Sequence, residues 1–420
     1  MKRCISALAT AGLLAGVFGF AAPRAAQASG VIWVSQKGTP FVDVNNLEYT
    51  SLESSMGNGP WRVNRTRDGY DCLHPDYNDI QLAVDNADDN DTIYICPGLW
   101  KMSLAWQIGH GGWSDSAVVT SNPYWPFDDT TGLHFVGAGA NKTIIDGLRG
   151  GNKLFRAFNL WSSNTGIEMD ASFSSLTIQN FEQAVYGASI DCDHAIFKNN
   201  GTLDTYAAGA IHATGLVDMA GCAFVGNRGG VDMNGGAITT EYLEDHGSTF
   251  VDNRTNGDGG AIYANAVALH GTVLTRNVAG GEGGAVATSN CDGSTYDHVT
   301  ATGNKALSGG GGAILVGDCN PTSVYVTSSV FKNNSASDRG GAIEADGADV
   351  YVSGSAFQQN RAGLSGGAVF GHEIFPSGNR FIGNVSGVCG GAIYYQVSIA
   401  TPEANTYRGN RDAVGFPNWC

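Results

Sequence analysis

Basic residues are scarce in this sequence and form no run longer than the pair Lys2-Arg3: 23 Lys and Arg stand against 39 Asp and Glu, a formal charge of −16 at pH 7. That balance argues against a nucleic-acid partner and against anionic membrane surfaces. It also disfavours strongly anionic polymers unless a local basic patch or a bridging Ca²⁺ intervenes. Helical periodicity is just as scarce. Only Ile80–Ala87 places apolar residues at i, i+3, i+4 and i+7, which predicts one short amphipathic helix. Helical repeats, which need amphipathic stretches of about ten residues or more, are excluded. The spaced leucines and Asn/Cys consensus of a leucine-rich repeat are missing too.

Long apolar runs are confined to the start. Lys2 and Arg3 precede the apolar stretch Ile5–Ala22, and Ala26-Gln27-Ala28 supplies small residues for cleavage. Residues 1–28 therefore read as a secretory signal, and Cys4, lying before the apolar stretch, does not read as a lipoprotein cysteine. No other stretch could span a bilayer as a helix, so the mature chain is expected outside the cell or at its surface, with no transmembrane segment. Losing the signal removes three basic residues and no acidic one, which takes −16 to −19.

What fills the sequence is a repeat. Gly-Gly-Ala followed by Ile or Val recurs at Gly235–Ile238, Gly259–Ile262, Gly283–Val286, Gly311–Ile314, Gly340–Ile343, Gly366–Val369 and Gly390–Ile393. Phe-x-x-Asn keeps step with it at Phe224–Asn227, Phe250–Asn253, Phe331–Asn334, Phe357–Asn360 and Phe381–Asn384. Phe197–Asn200 begins this phrase, and looser copies end at Asn277, Asn304 and Asn410. The step between these asparagines is 24 to 30 residues, too short for a propeller blade of about 40. Within one period, Val350-Tyr351-Val352, Ser355-Ala356-Phe357 and the residues opening at Gly366 read as short strands between turns. Three strands and three turns make one coil of a parallel β-helix, each strand pairing with its equivalent about 4.8 Å away. The fold class is then all-β: a single-stranded right-handed parallel β-helix with an N-terminal capping helix. Phe, Ile and Val form interior ladders, and Asn forms an amide ladder at a turn. The Gly pair serves positive φ or close approach. The expected organisation is signal 1–28, N-terminal segment and cap 29–90, β-helix 91–412 with an insertion at 104–131, and tail 413–420.

Eight cysteines remain after the signal, an even number for an oxidising compartment. Cys291 and Cys319 each lie six residues after a repeat alanine, so equal phase predicts a disulfide between them. Cys72 and Cys96 flank the helix and first strand, and Cys389 and Cys420 would tie down the C-terminal end. Cys192 and Cys222 are about one coil apart but out of phase, and free buried thiols are an equal reading.

The run Ile80–Trp100 resembles the opening of pectin-lyase-like right-handed β-helix proteins, and Leu133–Gly147 resembles their second coil. The Phe-x-x-Asn and Gly-Gly-Ala-Ile phrases resemble the repeats of chlamydial polymorphic outer-membrane proteins. The resemblance covers most of residues 75–410 and implies architecture more than activity, because this fold hosts lyases, hydrolases and adhesins. The membrane members carry a C-terminal β-barrel that this sequence, stopping at Cys420, does not show. Outer-membrane insertion by that route is not expected.

Three candidate sites stand out. The insertion gathers Trp106, Trp113, Tyr124 and Trp125 with His110, Asp115, Asp128 and Asp129, whereas no Trp occurs between Phe181 and Gly415. Those four rings are the candidate glycan or partner contacts, or else a plug for the open end of the helix. His246, His270 and Asp297 each lie seven residues before a repeat Asn. That spacing predicts adjacent rungs, able to bind a metal or act as a base, or else an ordinary exposed turn. Glu241, Glu244, Asp245, Asp258 and Glu282 could hydrolyse a glycoside or hold Ca²⁺, or be solvated turn residues. Arg228, Arg254, Lys305 and Arg361 directly follow repeat asparagines as a discontinuous basic edge, with no lyase motif around them. No cofactor is required by this sequence; Ca²⁺ is the one considered. The reading favoured is a non-enzymatic surface β-helix that recognises a polysaccharide or cell-surface partner. The alternative is an extracellular polysaccharide lyase with the Trp-rich loop in its groove.

Overall fold

The computed structural model describes residues 30–36, 72–73, 75–102, 116–119, 131–149, 152–161, 168–203, 209–231, 233–289, 293–317, 323–400 and 404–420. The chain winds as a right-handed parallel β-helix with three sheets of 21, 12 and 6 strands. In one coil, Ile343–Ala345 and Asp349–Ser353 belong to the largest sheet (sheet one), Ala356–Gln358 to sheet two and Arg361–Ala362 to sheet three. In some coils the sheet-one strands fuse, as in Ile238–His246, Ile262–His270 and Val369–Ser377. Side chains alternate as the pattern predicts: Val350 and Val352 are buried, and Tyr351 between them faces outward.

The interior is built from ladders. Phe331, Phe357 and Phe381 are fully buried and stack with centroids 5.0 Å apart, and Tyr407 continues the stack at 5.1 Å. An upstream stack, Phe197, Phe224 and Phe250, is separated from it by Leu274 and Ala301. In Ala301's own coil the fully buried Tyr296 projects inward from sheet one, adding a ring where sheet two lacks one. Its hydroxyl has no hydrogen-bond partner among the described residues, and burial pushes its ionisation up. Tyr296→Phe should therefore stabilise the protein by about 1 kcal/mol, because it removes an unmet buried polar group at constant ring shape. Urea titration would register the gain, and a loss would mean that the hydroxyl has a partner.

The asparagines form the second ladder. Asn334 donates from its backbone N–H and from Nδ2 to Oδ1 of Asn360, both at 3.0 Å. Asn360 does the same to Asn384, and its Nδ2 also reaches back to the Phe331 carbonyl at 2.9 Å. The pattern runs unbroken from Asn200 to Asn410. It explains how fully buried amides are tolerated inside an apolar core. The two glycines of the repeat do different work. Gly311 adopts φ +64°, and a Cβ added to Gly312 would lie 2.1 Å from the carbonyl oxygen of Gly341 in the next coil.

At the N-terminal end the helix spans Ile80–Asp85, with Asp79 as its cap accepting from the Gln81 and Leu82 N–H groups. The first strand, Val31–Val34, pairs parallel with Thr92–Ile95, so part of the 29–90 segment belongs to the coil stack. Ser116–Val119, within the 104–131 insertion, is a strand of sheet one paired with the strand Asn152–Asn159. At the other end, residues 413–420 close a last partial coil: the Ile393 N–H donates to the Asn418 carbonyl at 2.8 Å.

Among the described residues three disulfides are present, Cys72–Cys96, Cys192–Cys222 and Cys389–Cys420, with Cα separations of 5.6, 6.3 and 5.9 Å. They fit an oxidising compartment. The Cys192–Cys222 bond decides a pair that phase leaves open between a disulfide and free thiols. Strand register pairs Cys192 with Met219, three positions short of Cys222, but the chain turns at Gly221 and carries Cys222 back into the interior. Cys291, Cys319 and the residues of the predicted signal lie outside the described residues. Among the described residues, no helix is long and apolar enough to cross a membrane.

Candidate functional site

Outward positions on sheet one also stack, and one such column gathers chemistry. Strand register sets Asn159 beside Tyr186 and Tyr186 beside His212, while Arg156 lies beside Gln183. The Tyr186 and His212 rings are 5.3 Å apart. The Arg156 guanidinium lies over the Tyr186 ring at 4.5 Å. It donates through Nε to Gln183 Oε1 at 2.6 Å and through Nη1 to Asn159 Oδ1 at 3.2 Å. The Tyr186 hydroxyl donates to Glu168 Oε1 at 3.0 Å. Lys153, on the Arg156 strand, donates from Nζ to the carbonyls of Asn199 and Gly201.

The electrostatics of this cluster are unusual for so acidic a chain. Burial depresses the Arg156 guanidinium, opposed by the neighbouring Tyr186. Burial and the nearby Arg228 bring the Lys153 ammonium down to about 8. Burial and Arg156 also hold His212 below its ordinary value, so its imidazole is neutral at pH 7. Burial and the bond to Glu168 raise the Tyr186 phenol, keeping it protonated. Among the described residues Arg156 has no carboxylate partner, while Lys153 feels Glu182; half-buried cations beside a neutral imidazole and a phenol can bind a carboxylate or sulfate and move a proton next to it.

The predicted site residues that are described, His246, His270 and Asp297, fall elsewhere. Trp106, Trp113, Tyr124 and Trp125 lie outside the described residues. Their neighbour Trp100 is buried, with Nε1 donating to the Cys96 carbonyl at 3.0 Å. His246, His270 and Asp297 occupy adjacent rungs. The two imidazoles stack at 5.5 Å, and His270 Nδ1 is 3.9 Å from Asp297 Oδ2. His298 lies closer to that carboxylate, at 2.9 Å, and with the Thr327 hydroxyl it holds Asp297 below the usual carboxylate range. Among the described residues, no three His, Cys, Asp or Glu side chains converge as a metal set. Of the acids, Glu244 is half-exposed beside His246 at 3.2 Å, whereas Asp245 points inward, fully buried. Asp245 accepts from the Ser248 N–H and the Thr272 hydroxyl, and burial raises its carboxyl.

A second polar cluster, unforeseen in the sequence, surrounds Arg339. Its guanidinium meets Glu344 at 3.3 Å, Asp346 at 3.2 Å and Asp338 at 3.8 Å, and lies over the Phe370 ring. Glu344 is 3% exposed and its Oε2 has no hydrogen-bond partner among the described residues. That oxygen sits 1.0 Å from where a Cβ on Gly310 would be. The repeat position before the Gly pair carries Asp258 and Glu282 in the two preceding coils, and Asp258 accepts from the Glu282 N–H. At Gly310 that row has no side chain, and the Glu344 carboxyl fills the gap. Burial, opposed by Arg339 and reinforced by Glu282, Asp338 and Asp346, moves Glu344 from the ordinary 4.5 to about 8. Between those values the unfolded chain has released this proton and the folded chain keeps it, so rising pH costs stability. Relative to wild type, Glu344→Gln should gain stability progressively as pH rises from roughly 4.5 to 8. Melting temperatures of the two proteins across that range check this, and parallel curves would show Glu344 ionised in the fold.

Residues 247–265 and 328–346 match the Chlamydia polymorphic membrane protein (Chlamydia_PMP) repeat. Each stretch runs from the turn before a sheet-two strand through Gly-Gly-Ala-Ile. No curated protein matches the chain in sequence. Among solved structures, the chain is similar to the A-module of the mannuronan C-5 epimerase AlgE4 of Azotobacter vinelandii, at 14% identity and TM-score 0.37 over 81% of this chain and 94% of that one. It is also similar to the catalytic unit of a GH87 alpha-1,3-glucanase from Streptomyces thermodiastaticus, at 13% identity and TM-score 0.35 over 79% of this chain and 66% of that one. The chain is a parallel β-helix by its own strand pairing, and two of its stretches match the polymorphic-membrane-protein repeat.

Proposed function

We propose that this chain is an exported β-helix that recognises an acidic polysaccharide without cleaving it, with Arg156, Lys153 and Tyr186 at the contact. One observation carries the reading. Arg339 is met by three acidic side chains, whereas Arg156, in the same acidic chain, is half-buried with only neutral partners among the described residues. A desolvated cation kept without its counter-ion is a site for an external anion. The Tyr186 ring and the Trp-rich insertion would add aromatic surface for sugar rings, and Ca²⁺ is not required. Titration calorimetry with polygalacturonate, alginate and a neutral glucan tests this. The acidic polymers should bind in EDTA, and Arg156→Gln should weaken them at least tenfold while circular dichroism stays β-rich. Equal binding of the neutral glucan, or an unchanged Arg156→Gln affinity, would overturn it.

A second reading has its own support in the neutral His212 beside the protonated Tyr186, their rings 5.3 Å apart. If Arg156 pairs with a uronate carboxylate, His212 could accept the proton α to it while Tyr186 protonates the departing glycosidic oxygen. The electron pair of the broken C–H bond then becomes the new double bond. Ultraviolet absorbance from unsaturated products, lost in His212→Ala, would replace the non-enzymatic reading with this lyase chemistry.

A further inference from the structure

The basic residues that directly follow repeat asparagines become a single track in three dimensions. Register places Arg228 beside Arg254, Arg254 beside Val278, and Val278 beside Lys305. It continues through Ser335 to Arg361 and through Val385 to Arg411. All five cations are exposed. Among the described residues none of the five makes a salt bridge, whereas Arg276, on the neighbouring turn, is paired with Asp252. Lys332 and Arg408 lie in the adjacent outward column of sheet two. The carboxylates instead crowd sheet one and its turns, where Asp191, Asp218 and Glu244 occupy successive rungs. A chain of net charge −16 thus presents a cationic stripe along its axis.

We infer that this stripe is a binding track for a linear polysaccharide bearing one carboxylate or sulfate per disaccharide. From Arg254 onward the charge recurs every second coil, an interval of about 10 Å at the strand spacing. A nucleic-acid strand carries a charge roughly every 3.4 Å, far denser than the track. A lipid surface presents charge in two dimensions, which one column meets poorly. An extended glycan advances about one ring per coil, so an anion on alternate rings faces each cation in turn. The short Val278, Ser335 and Val385 leave room for the uncharged rings between. The inference rests on reading the chain as an acidic-glycan receptor, but not on the Arg156 cluster.

The test uses hyaluronan oligosaccharides, which carry one carboxylate per disaccharide, and the full chain. Affinity should rise with each added disaccharide up to four, one for each cation from Arg254 to Arg411, and then level off. Lys305→Gln with Arg361→Gln should weaken the four-disaccharide ligand at least tenfold and reduce the slope of log K against log salt by about 1.4, as expected for two lost contacts on a single-stranded polyanion. Lys305→Arg should keep binding. If the double variant binds as wild type while Arg156→Gln does not, the track is wrong and the cluster reading stands. If the double variant loses binding and Arg156→Gln keeps it, the track stands alone. Equal affinity for single-stranded DNA of matched charge, or for phosphatidylserine vesicles, would overturn the spacing argument.

Discussion

Asn360→Ala should lower stability by roughly 4 kcal/mol, well beyond a surface change. Its Oδ1 is the acceptor for both the backbone N–H and the Nδ2 of Asn334, and its own Nδ2 serves Phe331 and Asn384. The truncation strands donors in a region with no access to water, and each such group costs about 1–3 kcal/mol. Asn360→Asp, nearly isosteric, should fare no better, because a carboxylate cannot donate to the Phe331 carbonyl and would bring a buried charge. Coils stack in one dimension, so the damage should be local at first. Limited proteolysis should open the chain near residues 334–384 before circular dichroism reports global loss. A variant that melts and resists protease like wild type would mean the amide ladder is not the fold's internal support.

The second large effect concerns Gly312. Its Cβ would lie 2.1 Å from the Gly341 carbonyl oxygen and 2.7 Å from backbone atoms of Ser335. Both obstacles are main chain of neighbouring coils, which cannot rotate away as a side chain can. Gly312→Ala should therefore cost at least about 4 kcal/mol, at the extreme of single substitutions. Loss of soluble expression or a large fall in the urea midpoint would show it. Gly247, with nothing near its missing Cβ, is the control: Gly247→Asn should be tolerated, because Asn accepts the positive φ found there. If the two variants behaved alike, close packing between coils would not be what fixes the second glycine of the repeat.

These ladders were legible in the sequence because the residues that build them are local and periodic. A phenylalanine, an asparagine and a glycine pair recur in fixed phase, and stacking assigns each a place. The Cys192–Cys222 bond was not legible, since phase along strands says nothing about how far a turn carries a residue back inward. The Arg156 cluster was hidden for a related reason. Gly209-Ala210-Ile211 is a worn copy of the repeat phrase that sets the phase of His212. Upstream of it no such phrase marks Tyr186 or Asn159 as its neighbours. Nothing in the repeat marks Glu344, which directly follows Gly-Gly-Ala-Ile. Its burial comes from Arg339 and from the missing side chain at Gly310, one coil away, a coincidence that no single period contains. The basic edge was visible as residues but not as a line, because only the register shows Val278, Ser335 and Val385 to be its regular gaps.

The Asn ladder links only adjacent coils, and every link is the same. Copying one whole period in tandem, for example residues 334–359, would hand each asparagine a neighbour of the kind it already has. No interior residue would need to change. The rod would simply grow by about 4.8 Å, and extending the cationic line in step takes a pair of periods, because its charge recurs in every second coil. In such a molecule length is an adjustable quantity, separate from fold and from chemistry. Whole-period duplication or loss can retune how long a polymer the surface spans, in the way a ruler is extended by adding divisions.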